Sequence, residues 1–417
     1  MHEARVNRRS GRWILIGGFL LLFALAGLVA LWPKGWHKGG GVNVIAGDTA
    51  ASASPVGESA ADKARRAAIA ALGPIKKREG TNGADLYKDA MGLYAQLSDA
   101  DKKMLNDHHS KLDPKVAAAL YAKIKPIMDL LRKARRADYV DWGVDFNSPR
   151  DALVAVANDS IDLESMVQWD GIYRFTIDPD GAVGDLATGE TMLRSEMEPQ
   201  GLSGAIFQAG SHFIDMRLLA QNASGISDAA TSDLEYMTNV AATGQLFQEA
   251  LTVDAARIQS LLDGSADPAT LNRAQGSVGF TYPNRPALAP PESIRDMQWI
   301  EQADQEMATA VMEPEPQFQQ WWTGKLAEAA STPATNLAVG ALMYMRTFAQ
   351  VSVTENAMFM AGMALEQNNQ AQFESINDPA TGQPFTYTQT ATGFDLGSTL
   401  QFAGKAVSFS FPAPAGK

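Results

Sequence analysis

The chain has 417 residues, no cysteine and a formal net charge of −12. The lack of cysteine excludes disulfides, thiol catalysis, cysteine-ligated zinc and iron–sulfur clusters. Beyond the basic N-terminal region that ends at Lys38, 29 basic residues stand against 46 acidic ones, a net charge of −17. Such a surface repels nucleic acid and anionic membrane faces, while a hydrophobic content of 46% allows a sizeable core. The composition predicts a folded domain with no nucleic-acid partner.

An unbroken apolar run, WILIGGFLLLFALAGLVALW, occupies residues 13–32. A helix of this length spans about 30 Å, the thickness of the hydrocarbon core of a bilayer. Trp13 and Trp32 lie at its two ends, and tryptophan favours the headgroup layers. The run predicts a transmembrane helix, so a membrane is the first expected partner of the chain.

The charges beside this run predict its orientation. Four arginines lie within residues 1–12, whereas only Lys34 and Lys38 follow the run closely. Cationic flanks stay in the cytoplasm, so residues 1–12 are predicted to form a cytoplasmic tail. The main domain is then periplasmic or otherwise extracytoplasmic, and the absence of cysteine suits a bacterial inner-membrane protein. The alternative is a signal peptide cleaved after Ala-Leu-Ala at 24–26, but the apolar run continues past that site and favours an uncleaved anchor.

Residues 33–61 are predicted to be a linker. They are rich in glycine, alanine and serine and show neither a helical nor a strand period. A chain of this composition behaves as a flexible coil, which would hold the folded domain some tens of Å from the membrane.

A helical domain is predicted over residues 62–275. Ser98 is a good N-cap, and Asp113 followed by Pro114 is a strong start signal for a helix. The expected helices span 86–97, 99–109, a segment that starts at Pro114, 182–197, 202–222, 228–242 and 244–263. The helix after Pro114 carries an apolar stripe, formed by Val116, Leu120, Ile124, Ile127 and Leu131.

Asp178-Pro179-Asp180-Gly181 resembles the start of a calcium loop. The pattern fails because Val183 stands where that loop needs glycine and Gly189 where it needs glutamate. We therefore interpret the segment as a turn between helices and predict no metal site there.

The remaining chain divides into a seam, a subdomain and a tail. A proline-rich seam at 276–290 precedes a helical subdomain at 291–370, with helices expected at 291–312, 315–330 and 334–367. Residues 371–417 alternate apolar and polar side chains, which is typical of a β-hairpin. The predicted fold class is mainly α: an antiparallel helical array, compatible with a repeat-like arrangement, with a small C-terminal β-hairpin or three-stranded antiparallel sheet.

The tail carries a resemblance. It contains Asp-Pro at 378–379, Gly-x-Pro at 382–384, an aromatic strand and then Gly-aromatic at 393–394. This order resembles the close of many uncharacterised bacterial single-pass membrane-anchored helical proteins, and segments that begin at Leu112, Asp141 and Asp178 are similar to that group. The resemblance implies architecture only, since the group has no activity to carry over.

The same hairpin is more weakly similar to the headgroups of type II secretion pseudopilins. Those proteins place a prepilin-peptidase site just before the apolar helix and a glutamate early within it. Arg12-Trp13 is not that site, and residues 13–32 contain no glutamate. A pilin-like role is therefore the least favoured of the functions considered below.

No catalytic residue, metal or cofactor is predicted. The adjacent His108 and His109 would point about 100° apart on a helix, which makes a poor metal pair. Asp215 follows three residues after His212 and could orient it as a base, but a buried, hydrogen-bonded histidine is the favoured interpretation. The sequence contains no G-x-S-x-G, P-loop, H-E-x-x-H or G-x-G-x-x-G motif.

The candidate ligand-binding region is an acidic, tryptophan-containing segment around residues 292–322. Paired carboxylates bind cations or act on glycosides, and tryptophan stacks on sugars and peptides. The favoured interpretation, however, is a solvated acidic helix face, with one of the two adjacent tryptophans in the core and the other exposed. The candidate residues are Asp296, Glu301, Asp304, Trp299, Trp321 and Trp322.

We expect a non-enzymatic interaction or scaffold protein of the cell envelope, with an envelope protein as its partner. An envelope hydrolase that acts on a polymer through paired carboxylates is the first alternative. A secretion-machine component of pseudopilin type is the second.

The orientation of the anchor is testable by protease protection. Protease added to sealed cells or right-side-out vesicles should digest the chain beyond residue 35 or so, because only the arginine-rich tail is expected in the cytoplasm. Complete protection of the large domain would reverse the orientation.

Overall fold

The computed structural model describes residues 79–107, 113–142, 158–200, 202–239, 244–252, 255, 290–313, 315–329, 333–402 and 404–413. The predicted anchor at 13–32, the linker and nearly all of the proline-rich seam lie outside them. Among the described residues, no helix has both the length and the apolar character needed to cross a membrane. Contacts between Cα atoms group Asn82–Lys417 into one unit, separate from Met1–Thr81.

Helices make up most of the described chain, as predicted, and a small sheet follows them. They are α1 (Gly83–Ala95), α2 (Asp99–Asn106), α3 (Pro114–Arg135), α4 (Asn158–Arg174), α5 (Pro179–Gln200), α6 (Leu202–Gln221), α7 (Thr231–Met237), α8 (residues 244–252), α9 (Pro290–Ala310), α10 (Glu315–Ala329), α11 (Pro333–Glu366) and α12 (Gln370–Ser375). Helices α4 and α12 do not appear among the predicted elements. The expected helix at 228–242 is instead a 3₁₀ turn followed by the short α7.

The predicted start signals act as helix caps. The Ser98 hydroxyl accepts a hydrogen bond from the Asp101 amide, and Asp113 accepts one of 2.9 Å from the Lys115 amide. Both side chains thereby satisfy amide groups that the first turn of a helix leaves open. Asp178 does the same for Gly181, and α5 starts directly at Pro179, so Asp-Pro-Asp-Gly forms the cap and first turn of a helix rather than the predicted turn between helices.

One member of the predicted apolar stripe on α3 is wrong. Val116 is 42% exposed, and Ala117 is buried in its place. The other four stripe residues are buried as predicted. Helix α3 packs against both α1 and α5, so its buried face is wider than one stripe. In its first turn the buried residue is Ala117, which is smaller than Val116.

Helix α11 connects the separate parts of the fold. It packs on α6, on α9 and α10, on α12 and on two strands of the sheet. Arg346 makes the link to α9 and α10: its guanidinium donates to the backbone carbonyls of Val311 and Glu313 (2.8 and 2.9 Å) and stacks on the ring of Phe318. A buried cation thus caps the C-terminal end of α9, where the helix dipole favours positive charge.

The sheet confirms the predicted hairpin and third strand. Strands β1 (Thr386–Gln389), β2 (Gly393–Phe402) and β3 (Lys405–Pro412) are antiparallel in the order β1-β2-β3. Inward-facing Leu396, Val407, Phe409 and Phe411 are buried, whereas every residue of β1 is exposed. Strands β2 and β3 pack on α11, and β3 also packs on α6.

Gly362 on α11 sets how closely the sheet approaches this helix. A Cβ atom at this position would lie 2.0 Å from the ring of Phe411. Phe411 also packs on Phe359, one turn earlier in α11. The absence of a side chain at Gly362 therefore lets an aromatic ring lie directly on the helix backbone.

Gly362→Ala should destabilise the protein by about 1–3 kcal/mol, because the new methyl group has to displace Phe411. The matched control is Gly92→Ala on α1, where nothing lies within 4 Å of the added Cβ. That change should stabilise by about 0.5–1 kcal/mol through helix propensity alone. Denaturant unfolding of both variants measures the difference, and equal effects would contradict the close sheet–helix contact.

Candidate functional site

Buried polar side chains meet where α4, α5, α6 and α11 pack together. We call them the polar cluster: Glu164 and Gln168 on α4, Glu190 on α5, Gln208, Ser211, His212 and Asp215 on α6, and Glu355 and Asn356 on α11. All nine are at most 6% exposed. The four α6 residues follow the three- and four-residue spacing of a single helix face, which is the spacing that an apolar stripe would use.

His212 is held from two sides. Its Nδ1 lies within hydrogen-bonding distance of Glu190 on α5, and its Nε2 lies 2.6 Å from the side-chain oxygen of Asn356 on α11. Gln208 donates to the second carboxylate oxygen of Glu190 at 3.1 Å. His212 is thus the buried, hydrogen-bonded histidine that the sequence favoured, and its partners are Glu190 and Asn356 rather than Asp215.

A second set of hydrogen bonds joins α4 to α6. Ser211 donates to Glu164 at 2.6 Å, and the Gln168 amide donates to Ser211 and to Asp215 at 2.9 and 3.1 Å. Gly189 on α5 leaves the space that the Glu164 side chain occupies, since a Cβ atom at this position would lie 2.5 Å from a Glu164 carboxylate oxygen. Hydrogen bonds between polar side chains therefore join these helices beside their apolar contacts.

Glu355 lies in the same interior without such support. It is fully buried, and neither carboxyl oxygen has a hydrogen-bond partner among the described residues. Its electrostatic neighbours are His212 and the half-buried Arg217 on α6. An ionised carboxylate in such a place is costly.

A buried aspartate pair lies between α4 and α5, at the side that faces α3. Arg132 from α3 binds both carboxylate oxygens of Asp185, at 2.7 and 3.0 Å, and Arg174 also pairs with Asp185. Asp170 is fully buried beside them. Asp185 and the two arginines form a structural ion-pair network that connects three helices.

Burial dominates the proton affinity of these groups. Burial raises the pKa of Glu355 to about 8, and burial together with Asp185 raises the pKa of Asp170 to about 8. Burial and then the charges of Glu164 and Glu190 hold the pKa of Asp215 well above its usual range. Burial alone would lower the pKa of His212, but the charge and hydrogen bond of Glu190 outweigh it and raise that pKa to about 9.

A small cleft opens beside His212. It is lined by Glu190, Arg194, Gln208, His212 and Tyr236, together with apolar residues that include Met237 and Phe247. The cleft has a volume of about 20 Å³, which is space for roughly one water molecule. The cleft therefore gives solvent access to the Glu190–His212 pair rather than room for a large ligand.

The hydrogen bonds of the polar cluster limit what His212 can do chemically. Both ring nitrogens of His212 are engaged, so the ring has no nitrogen left to accept a proton from a substrate. Across the part of the chain that the structure describes, no group of three or more His, Asp or Glu side chains is arranged to hold a metal ion.

The candidate ligand-binding residues lie on α9 and α10. Trp322 is buried and stacks on Phe318, whereas Trp321 is half-buried and donates to Glu306 at 2.9 Å. Asp304 is buried, Glu301 and Trp299 are half-buried, and Asp296 belongs to α9 with a side chain outside the description. Lys325 on α10 pairs with Glu306 on α9 at 2.9 Å. The segment thus serves, at least in part, the packing of α9 on α10.

Comparisons with known proteins return no match: no family model, no curated protein and no solved structure is similar to this chain.

The polar cluster predicts a stability that falls as pH rises. Glu355 keeps its proton when folded and loses it when unfolded, so its contribution is fully present below pH 4.5 and is lost as pH rises towards about 8. Glu355→Gln should reduce the slope of unfolding free energy by about 1.4 kcal/mol per pH unit within that range.

Denaturant unfolding at pH 5, 6, 7 and 8 measures this slope. Glu235→Gln, at an exposed glutamate of α7, is the matched control and should leave it unchanged. An identical slope in wild type and Glu355→Gln would show that Glu355 is not the buried acid described here.

Proposed function

We propose that this chain is a membrane-anchored envelope protein that acts as a non-enzymatic interaction or scaffold protein. Residues 13–32 supply the anchor, and the helical unit supplies the binding surface. One observation carries the proposal: the side chains best suited to chemistry are buried and engaged with one another. His212 is bound on both sides, and the cleft beside it holds about one water molecule.

The hydrolase alternative finds less support. It needs two accessible carboxylates beside a groove that accepts a polymer. In the candidate region Asp304 is 1% exposed, and Glu306 is engaged by Lys325 and Trp321. Trp322 lies in the core instead of offering its face to a sugar. These contacts favour a structural role for the segment.

The pseudopilin alternative requires the tail sheet to pack on the preceding helix. Strands β2 and β3 do pack on α11. However, α11 also packs on α6, α9 and α10, so it is an internal helix of the unit. An internal helix is unsuited to the filament contacts that a pilin-like assembly needs, and we rank this alternative below the scaffold.

Exposed apolar side chains offer positions from which to find a partner. Photo-crosslinking residues can be placed at these positions in the full chain and irradiated in cells. We expect one adduct of defined mass at those positions that lie near each other on the partner-binding surface, and no adduct at the remaining positions. The positions are Val116, Ile177, Met312, Leu326 and Tyr387. A version lacking residues 13–32 is the control, because an envelope partner should be lost with the anchor.

The contrary result is catalysis. If no position yields an adduct and the purified chain releases soluble fragments from envelope polymers, the hydrolase replaces the scaffold. Glu301→Gln and Glu306→Gln should then abolish the release. Under the scaffold proposal neither variant changes any adduct.

A further inference from the structure

His212 joins α5 to α11 through one ring. Glu190 approaches Nδ1 from α5, and Asn356 approaches Nε2 from α11. Residues 212 and 356 are 144 positions apart in the chain, so this ring ties together distant segments. The adjacent Glu355 belongs to the same turn of α11.

Both atoms that face the ring are oxygens. A neutral imidazole carries one N–H and can donate to one of them, whereas an imidazolium carries two and can donate to both. The placement of acceptors on both sides therefore matches the protonated ring. Without the second proton, a nitrogen lone pair would face an oxygen lone pair.

We propose that Glu190, His212 and Asn356 form a proton-operated latch. The imidazolium holds α11 against α5 and α6, and loss of its proton in alkaline solution releases α11 together with the strands packed on it. This inference concerns the folded unit alone and does not rest on the proposed scaffold role.

The ionisable groups that surround the latch lie on α4, α5, α6 and α11. Facing it are Glu164 from α4, Arg194 and Glu190 from α5, Asp215 and Arg217 from α6, and Glu355 from α11. Strand β3, which packs on α6 and α11, buries the apolar residues Val407, Phe409 and Phe411. Glu355 is neutral at pH 7, so the negative charge that the proton on His212 offsets is chiefly that of Glu190, which the interior cannot solvate.

Two groups titrate in the same alkaline range. The pKa of His212 is about 9 and that of Glu355 about 8. As pH rises through this range, Glu355 gains a negative charge while His212 loses a positive one. Each loss makes the interior more negative, so both changes act against the contact between α6 and α11.

The cleft provides the route for the proton. His212 and Glu190 both line the cleft, and the cleft has room for roughly one water molecule. The ring can therefore exchange its proton with solvent while the helices stay packed, as a reversible latch requires.

The test is a histidine titration of the full chain in detergent, with ¹⁵N-labelled histidine and the His212 signals assigned by loss in His212→Gln. The latch predicts that both ring nitrogens are protonated at pH 7 and that one proton leaves with a midpoint near 9. A ring that is neutral at pH 7, with the Asn356 amide turned to donate to it, would overturn the proposal.

Amide hydrogen exchange gives the second readout, corrected for the intrinsic effect of pH. Protection of residues 352–360 in α11 should fall by about tenfold or more across the His212 titration, while α1 and α3 keep theirs. A His212 that loses its proton with protection of α11 unchanged would be a static core residue, and the latch would be wrong.

Glu190→Gln removes the charge that holds the proton, so the His212 midpoint should fall by about one pH unit or more. The release of α11 should shift with it. Glu249→Gln, at an exposed glutamate of α8, is the matched control and should shift neither. If Glu190→Gln does not fold, the wild-type titration and exchange still decide the question.

Discussion

The packing of α4, α5, α6 and α11 depends on protons that the folded chain must retain. Asp170, Asp215 and Glu355 are each fully buried, and an uncompensated carboxylate in such surroundings costs several kcal/mol. The protonated, neutral form of each acid has the lower free energy in these surroundings, which is why burial raises the pKa values of all three. When the chain unfolds near neutral pH, these acids become exposed to water and lose their protons. The free energy of unfolding of this unit therefore depends on pH more strongly than that of an apolar bundle.

The same polar residues specify which helices meet. A hydrophobic stripe tolerates sliding, whereas a hydrogen bond from Gln168 to Ser211 is satisfied in one register only. The contact of Asn356 with His212 sets the position of α11 in the same way. Arg346 and the contact of Gly362 with Phe411 fix this helix at two further points along its length. Specific contacts thus recur along its length, and the sheet is positioned through them.

Local signals made much of the fold predictable. Ser98 and Asp113-Pro114 cap their helices, and the alternating tail forms the expected strands, because caps and strand alternation are properties of neighbouring residues. Helix α4 escaped prediction for a physical reason. Its buried residues mix apolar Leu163, Met166 and Val167 with polar Glu164, Gln168 and Asp170, so polar side chains interrupt the apolar period by which an amphipathic helix is recognised.

The site was harder to predict than the fold. His212 attracted notice beside Asp215, yet its partners Glu190 and Asn356 lie 22 and 144 residues away. Such distances in sequence leave no local trace. One usable signal existed: polar residues at 208, 211, 212 and 215 keep the spacing of a buried helix face. Tryptophans and acids near 292–322 drew attention by composition, but composition does not show that Trp322 and Asp304 are buried.

The most direct measurement is the number of protons released when the purified chain unfolds at pH 7.5. Calorimetric unfolding in buffers of different ionisation enthalpy supplies it. Three groups hold a proton when folded and give it up when unfolded: Asp170, Glu355 and His212. The account predicts a release of at least about two protons. No net release, or an uptake, would contradict the claim that buried protons hold the helical unit together.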